Sequence, residues 1–219
     1  MNGRAITVKG VGNVSEKPDV IIISMEQNSQ ALEYEKTMEK AAADLDSIRK
    51  AVAKAGHDPA KLKTSRFGVD TNYERKRDAQ GNYKDHFKGY ICTHHLNFEF
   101  DYDMKELGKV LSALAGCEAK PKFSIRFSVK DQDAMRVRML EDAVANAMSK
   151  AGILAKVAGV KLGEILRIDY SWGELEVYSQ TRFEDFPKGI DTMDESSNIE
   201  IEPEDVEASD TVTVVWAIN

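Results

Sequence analysis

The chain has few cysteines, no long apolar run and no excess of positive charge. Its 219 residues include two cysteines, Cys92 and Cys117, which are too few for a disulfide framework in a chain of this size. No stretch reaches the roughly 18 apolar residues that a membrane-spanning helix needs, so we expect no membrane insertion. Acidic residues outnumber basic ones 37 to 30, and the net charge is −7. Because nucleic-acid backbones are bound by clustered Lys and Arg, this balance argues against a nucleic-acid partner.

The sequence also lacks a recognisable secretory signal. The first ten residues, MNGRAITVKG, contain no apolar segment of the kind that such a signal requires. As written, the sequence therefore predicts a cytoplasmic protein, and two free cysteines agree with a reducing compartment. The alternative is an exported, periplasmic protein whose signal peptide has been removed.

Apolar periodicity is clear along most of the chain. The strongest pattern is a strand at residues 88–103, in which apolar and polar side chains alternate. Its apolar positions are Leu96, Phe98, Phe100 and Tyr102. The same alternation, extended towards the N-terminus, places Tyr90, Cys92 and His94 on the buried side and His95 on the polar side.

The patterns together predict an α+β fold with a mixed, largely antiparallel sheet, hairpins, and one long and two shorter amphipathic helices. The predicted order is β-β-α-β-β-α-β-α-β-β in a single domain, 1–219. The strands are 4–10, 19–27, 63–73, 88–103, 122–129, 164–172, which 174–181 could continue, and 211–218; the helices are 34–55, 104–115 and 132–158. The last strand, TVTVVWAI, is either central in the sheet or an edge that awaits a partner chain.

The composition changes near the C-terminus. Residues 183–210 contain eleven acidic residues and one basic residue, Lys188. Because high charge and low hydrophobicity oppose packing, we expect a flexible acidic loop at about 183–198.

The opening segment contains half of a nucleotide-binding motif. Gly10 and Gly12 are followed by Ser15, whereas a G-x-G-x-x-G loop needs a third glycine and then a helix that holds the phosphate. Residues 19–27, DVIIISMEQ, are rich in β-branched residues and lack helical periodicity. The glycines therefore indicate a tight crossing between two strands rather than a nucleotide site.

The stretch Cys92-Thr-His94-His95 is the main candidate for reactive chemistry. On a strand Cys92 and His94 share one face and His95 the other, so a metal site would need further ligands, such as His86. Side chains two apart on a strand are too distant for a Cys–His dyad. Glu99, Asp101 and Asp103 form a carboxylate row typical of a solvated face. We therefore expect no catalytic residues, no metal and no cofactor.

Several aromatic residues lie in or near the acidic loop. They are Tyr170, Trp172, Tyr178, Phe183 and Phe186. Aromatic side chains are enriched in interface cores, so these residues either form a subunit contact or pack within the monomer.

A series of short motifs resembles the SIMPL domain family, once described as a domain of unknown function. It includes bacterial oxidative-stress defence proteins and the periplasmic immunogen of Brucella. The motifs are Gly10-x-Gly12-x-Val14-Ser15-x-x-Pro18-Asp19; Lys63-Thr-Ser65 with Tyr73; Gly89-Tyr90; Asp103 with Leu107-Gly108; 123–129; Ala158-Gly159-Val160-Lys161-Leu162-Gly163; and 211–216. The chain departs from the family where it has Pro203-Glu204-Asp205 instead of Pro-Gly.

The resemblance implies an α+β architecture and self-association, since the Brucella member is a ring-shaped homo-oligomer. It implies no catalytic residues. We therefore expect a non-enzymatic, self-associating structural or interaction protein, linked to oxidative-stress defence. The alternative is a small-molecule or metal-binding protein that uses a pocket between subunits.

Overall fold

A computed structural model describes residues 4–77, 81–170, 177–183 and 202–219. The elements are β1 (Ala5–Glu16), β2 (Val20–Ala31), α1 (Tyr34–Lys54), a 3-10 turn (Pro59–Lys61), β3 (Lys63–Arg77), β4 (Tyr83–Asp101), α2 (Met104–Ala115), β5 (Lys122–Ser128), α3 (Gln132–Val157), β6 (Leu162–Asp169), β7 (Tyr178–Phe183) and β8 (Val206–Ile218). The predicted α+β class and element order are confirmed. The segment that could have continued β6 contains the separate strand β7.

The strands form two sheets, where the sequence suggested one. The first has the order β1-β8-β6 and the second β3-β4-β2-β5-β7. The chain also divides into two compact units, residues 1–19, 128–180 and 203–219 in unit 1 and residues 20–127 and 181–202 in unit 2. Two compact units can belong to one domain, so the single domain over 1–219 stays a prediction. The acidic loop predicted at 183–198 lies outside the described residues except for Phe183, which ends β7.

Unit 2 has its core between one face of the five-stranded sheet and helices α1 and α2. The predicted alternation of β4 is confirmed, because Leu96, Phe98 and Phe100 are all less than 10% exposed. They pack with buried residues of α1 and α2, namely Ile48, Ala51, Val52, Leu107, Val110, Leu111 and Leu114. Tyr102 lies beyond the end of β4 and is 37% exposed, so the predicted inward direction stops at Phe100.

Unit 1 has its core between α3 and the three-stranded sheet. Four alanines spaced by four residues, Ala143, Ala147, Ala151 and Ala155, form the buried stripe of α3. Leu154 is apolar and belongs to the same helix, but its side chain is 49% exposed. Small side chains allow the helix to approach the sheet closely, and this approach decides which residues are buried.

The glycines of the opening motif lie under α3. A Cβ atom at Gly10 would overlap the carbonyl oxygen of Ala143, and one at Gly12 would overlap that of Met139. The predicted strand–strand crossing is therefore wrong, because the glycines admit a helix backbone.

Helix α3 also covers one edge of β1. Asn146 Oδ1 accepts a hydrogen bond from the Val11 amide at 3.1 Å, and Asp142 Oδ2 accepts one from the Asn13 amide at 3.0 Å. On its other side β1 pairs with β8 along its whole length. Strand β8 lies between β1 and β6, so the last strand is central, one of the two positions expected from the sequence.

No helix in the described parts of the chain is both long enough and apolar enough to cross a membrane.

Candidate functional site

The cysteine and histidines of β4 lie on the faces that the alternation predicted. Cys92 is 1% exposed and His94 is 7% exposed on the core side, whereas His95 is half-buried on the opposite face. The structure thus brings Cys92 and His94 to one face and separates them from His95.

His94 is a buried, hydrogen-bonded side chain. Its Nε2 atom lies 2.8 Å from Thr64 Oγ1, and its ring meets the ring of Phe67 edge-on at 5.1 Å. Burial lowers the pKa of His94 below its ordinary value, and the charge of Arg49 acts in the same direction. The imidazole is therefore neutral around pH 7, with one ring nitrogen held by a hydroxyl.

Cys92 lies next to a polar contact between β2 and α1. Asp44 Oδ2 accepts hydrogen bonds from Gln27 Nε2 at 3.1 Å and from Ser29 Oγ at 2.5 Å. Burial raises the pKa of the Cys92 thiol, and the negative charge of Asp44 raises it further. The thiol is held protonated, the opposite of an activated nucleophile. The hydrogen bonds from Gln27 and Ser29 to Asp44 connect β2 with α1.

His86, the third metal candidate, lies far from the other two. It is opposite Glu74 in the β3–β4 hairpin, which places it about 20 Å from Cys92 along the strand at about 3.3 Å per residue. In the portions of the chain that the structure describes, no group of three or more His, Cys, Asp or Glu side chains could hold a metal ion. The expectation of a protein without metal or cofactor stays a prediction.

The three carboxylates of the predicted row, Glu99, Asp101 and Asp103, have different surroundings. Glu99 and Asp101 are exposed, whereas Asp103 is the N-cap of α2 and accepts hydrogen bonds from the amides of Lys105 and Glu106. Its role is to complete the first turn of that helix.

Two of the C-terminal aromatic residues pack within the monomer. The Tyr170 hydroxyl donates to Asp210 Oδ2 at 2.7 Å, and the ring of Phe183 meets that of Phe127 at 6.3 Å. For these two, the structure favours packing within the chain over a subunit contact. Trp172 and Phe186 lie outside the described residues.

An exposed apolar surface that the sequence did not indicate lies on β6. Leu162, Ile165, Leu166 and Ile168 are between 36% and 53% exposed. On the adjoining part of the chain, the end of α3, Ile153 and Val157 are 61% and 83% exposed. We call Ile165, Leu166, Arg167, Ile168 and Asp169 the β6 edge. The sequence showed a strand here, but nothing in its local pattern showed that the strand is uncovered.

The comparisons with known proteins agree with the resemblance seen in the motifs. A family model described as "SIMPL: Protein of unknown function (DUF541)" matches residues 6–216. The chain belongs to this family.

Two of the relatives have names that describe location and antigenicity, and a third is named as uncharacterized. The chain is 24% identical over 163 residues to the "26 kDa periplasmic immunogenic protein" of Brucella melitensis, and equally to that of Brucella abortus. It is 23% identical over 190 residues to the "Uncharacterized protein YggE" of Edwardsiella ictaluri, with 82% of this chain and 73% of that protein covered. The Brucella matches cover 74% of this chain and 65% of the relatives' length, slightly less than two thirds.

Proposed function

We propose that the chain is a non-enzymatic member of the SIMPL family that self-associates through the β6 edge and acts as a structural or interaction module. The observation that carries this proposal is the apolar surface of β6, where three aliphatic residues within four positions, Ile165, Leu166 and Ile168, are each about half exposed. Apolar surface of this kind in a soluble protein marks an interaction site.

The hydrogen-bonding edge of β6 supports the same surface. Among the described residues β6 pairs with β8 on one side and with no strand on the other. The opposite edge of the same sheet, on β1, is covered by the side chains of Asn146 and Asp142. An uncovered strand edge is a template for pairing with another chain. The contrast between the two edges makes β6 the place where a partner strand would add.

The charged residues of β6 would be complementary to those of β6 in a second copy of the chain. Arg167 and Asp169 flank Ile168, and within one chain Arg167 Nε contacts Asp169 Oδ2 at 2.8 Å. An antiparallel pairing of two β6 edges centred on Ile168 would place each Arg167 opposite the other copy's Asp169. Such a contact is two-fold symmetric, the commonest arrangement in homo-oligomers.

The location, the stress-defence role and the non-enzymatic character in this proposal have separate grounds. The names of the Brucella proteins support an exported, periplasmic location for this chain as well. The link to oxidative-stress defence rests on family resemblance. The non-enzymatic part rests on Cys92 and His94, which are buried and hydrogen-bonded or protonated rather than activated.

Sedimentation velocity on the full chain and on charged variants tests self-association. We expect the unmodified protein to sediment as a dimer or larger, and Leu166→Lys/Ile168→Lys to sediment as a monomer, because two lysines oppose burial of the strand. The control is Val137→Lys, which adds a lysine at an exposed apolar position outside β6, on α3. We expect this variant to assemble like the unmodified protein. Circular dichroism establishes that all variants are folded. An unmodified protein that stays monomeric, or a double variant that assembles normally, would overturn the proposal.

A further inference from the structure

The face of the five-stranded sheet opposite Cys92 and His94 contains a cleft of about 720 Å³. Its lining comes from β2, β3, β4 and β5, all within unit 2. Ligand-binding clefts in proteins commonly have volumes of about 300–1,000 Å³. The cleft is therefore large enough for a small organic molecule.

The charge of this cleft is opposite to that of the chain as a whole. Arg66, Lys122 and Arg126 line it together with one carboxylate, that of Glu26, whereas the complete chain has a net charge of −7. Three cations around a concave surface attract anions and hold them close to the sheet. The cleft therefore favours anions locally, although the chain as a whole has a negative net charge.

Two of the cations have no anionic partner among the residues that the structure describes. Within the described residues neither Arg66 nor Lys122 forms an ion pair or a side-chain hydrogen bond, whereas many other lysines and arginines of the protein do, such as Lys36 with Glu39 and Lys88 with Glu74. Arg126 is positioned differently, since its Nη2 donates to Ser24 Oγ at 3.4 Å. In the described part of the chain, the cleft thus combines one oriented guanidinium with two cations that form no ion pair.

Strand β3 has an irregularity beside the cleft. Thr64 is opposite Leu96 and Arg66 is opposite His95, so Ser65 is an extra residue between two consecutive pairs. Ser65 and Arg66 both contribute to the lining of the cleft, and Ser65 Oγ donates to the carbonyl oxygen of His95 at 3.4 Å. Bulges of this type re-aim side chains and are frequent next to active sites.

Neutral hydrogen-bonding groups complete the lining. Ser24 and Ser124 supply hydroxyls, and Asn97 supplies an amide. Guanidinium, ammonium, hydroxyl and amide groups are the donors that carboxylate and phosphate oxygens accept from. Arg66 and Lys122 can each pair with one negative charge of a ligand, which points to a ligand with two such charges.

We propose that this cleft binds small organic dianions through Arg66, Lys122 and Arg126. The ligand class is one with two negative charges on carboxylate or phosphate oxygens. The proposal uses a different surface from the β6 edge and does not depend on self-association.

Isothermal titration calorimetry of the full chain with inorganic phosphate and with succinate tests the proposal. We expect at least one probe to bind with a dissociation constant below about 1 mM. Binding of phosphate alone would assign phosphate oxygens, and binding of succinate alone would assign carboxylates. Arg66→Gln/Lys122→Gln should weaken binding at least about tenfold, because two charge-assisted hydrogen bonds are lost.

The matched control is Lys40→Gln/Arg49→Gln, which removes the same charge from exposed positions of α1. It should bind the probes like the unmodified protein. The proposal is overturned if neither probe binds at about 10 mM, if the cleft variant binds as tightly as the unmodified protein, or if the control loses as much affinity as the cleft variant.

Discussion

Gly12 of β1 and Met139 of α3 meet backbone to backbone, because a Cβ atom on Gly12 would overlap the Met139 carbonyl oxygen. The same relation holds one helical turn further along, between Gly10 and Ala143. The G-x-G motif therefore sets the distance between strand and helix in unit 1.

Replacement of Gly12 by alanine should lower the free energy of unfolding by about 3 kcal/mol, because either the helix or the strand must move to admit the methyl group. Urea denaturation measures the change. Gly152→Ala is the control in the same unit, since no atom lies within 4 Å of the position for its Cβ; we expect it to stabilise the protein by about 1 kcal/mol, as alanine favours a helix over glycine. Equal effects of the two substitutions would contradict the close approach.

The protection of the β1 edge by α3 can be tested at the hydrogen bond between the Asn13 amide and Asp142. Asp142→Ala removes the acceptor of the Asn13 amide, and we expect a loss of about 1 kcal/mol together with faster exchange of that amide proton. Hydrogen exchange followed by NMR gives the rate at each amide. Glu141→Ala, the neighbouring exposed acid on α3, should leave the exchange rate of Asn13 unchanged. Identical rates in both variants would show that the carboxylate does not protect the edge.

His94 should make stability depend on pH in the acidic range. Burial, then Arg49 and His95, lower its pKa from the ordinary value of 6.5, so below that pH the unfolded chain binds a proton that the folded chain does not. The contribution to stability is fully present above about pH 6.5 and is lost as pH falls through the folded-state pKa. Urea midpoints at about pH 7.5 and 5.5 should differ less in His94→Gln than in His95→Gln, which changes the opposite face of β4. If the two urea midpoints differ more in His94→Gln than in His95→Gln, His94 is not the group that makes stability depend on pH.

The thiol of Cys92 should react slowly in the folded protein. It is 1% exposed, and its pKa is raised by burial and by Asp44, so little thiolate is present at neutral pH. In a Cys117→Ser background, which leaves one thiol, labelling by an iodoacetamide reagent should be slow without urea and fast in urea. Rapid labelling of the native protein would place the thiol at an accessible position.

Local patterns in the sequence predicted much of unit 2. The alternation at Leu96, Phe98 and Phe100 follows directly from the two-residue period of a strand with one buried face. The directions of Cys92, His94 and His95 follow from the same period. These predictions needed no knowledge of what the strand pairs with.

The features that the sequence did not reveal depend on contacts between distant segments. Ile165 and Ile168 form an apolar strand in the sequence, but their exposure is decided by what α3 and β8 leave uncovered. Ser65 became an extra residue only through the pairing of β3 with β4, so the cleft beside it could not be found from a single strand. Apolar character alone does not decide burial in α3, because Leu154 is 49% exposed whereas the alanines of the same helix are buried.

Light scattering across a dilution series of the unmodified protein tests self-association most directly. The account predicts a mass that is a multiple of the 24.4 kDa chain at micromolar concentration and falls towards that value on dilution, as a concentration-dependent assembly must. A mass of one chain at every concentration would contradict it.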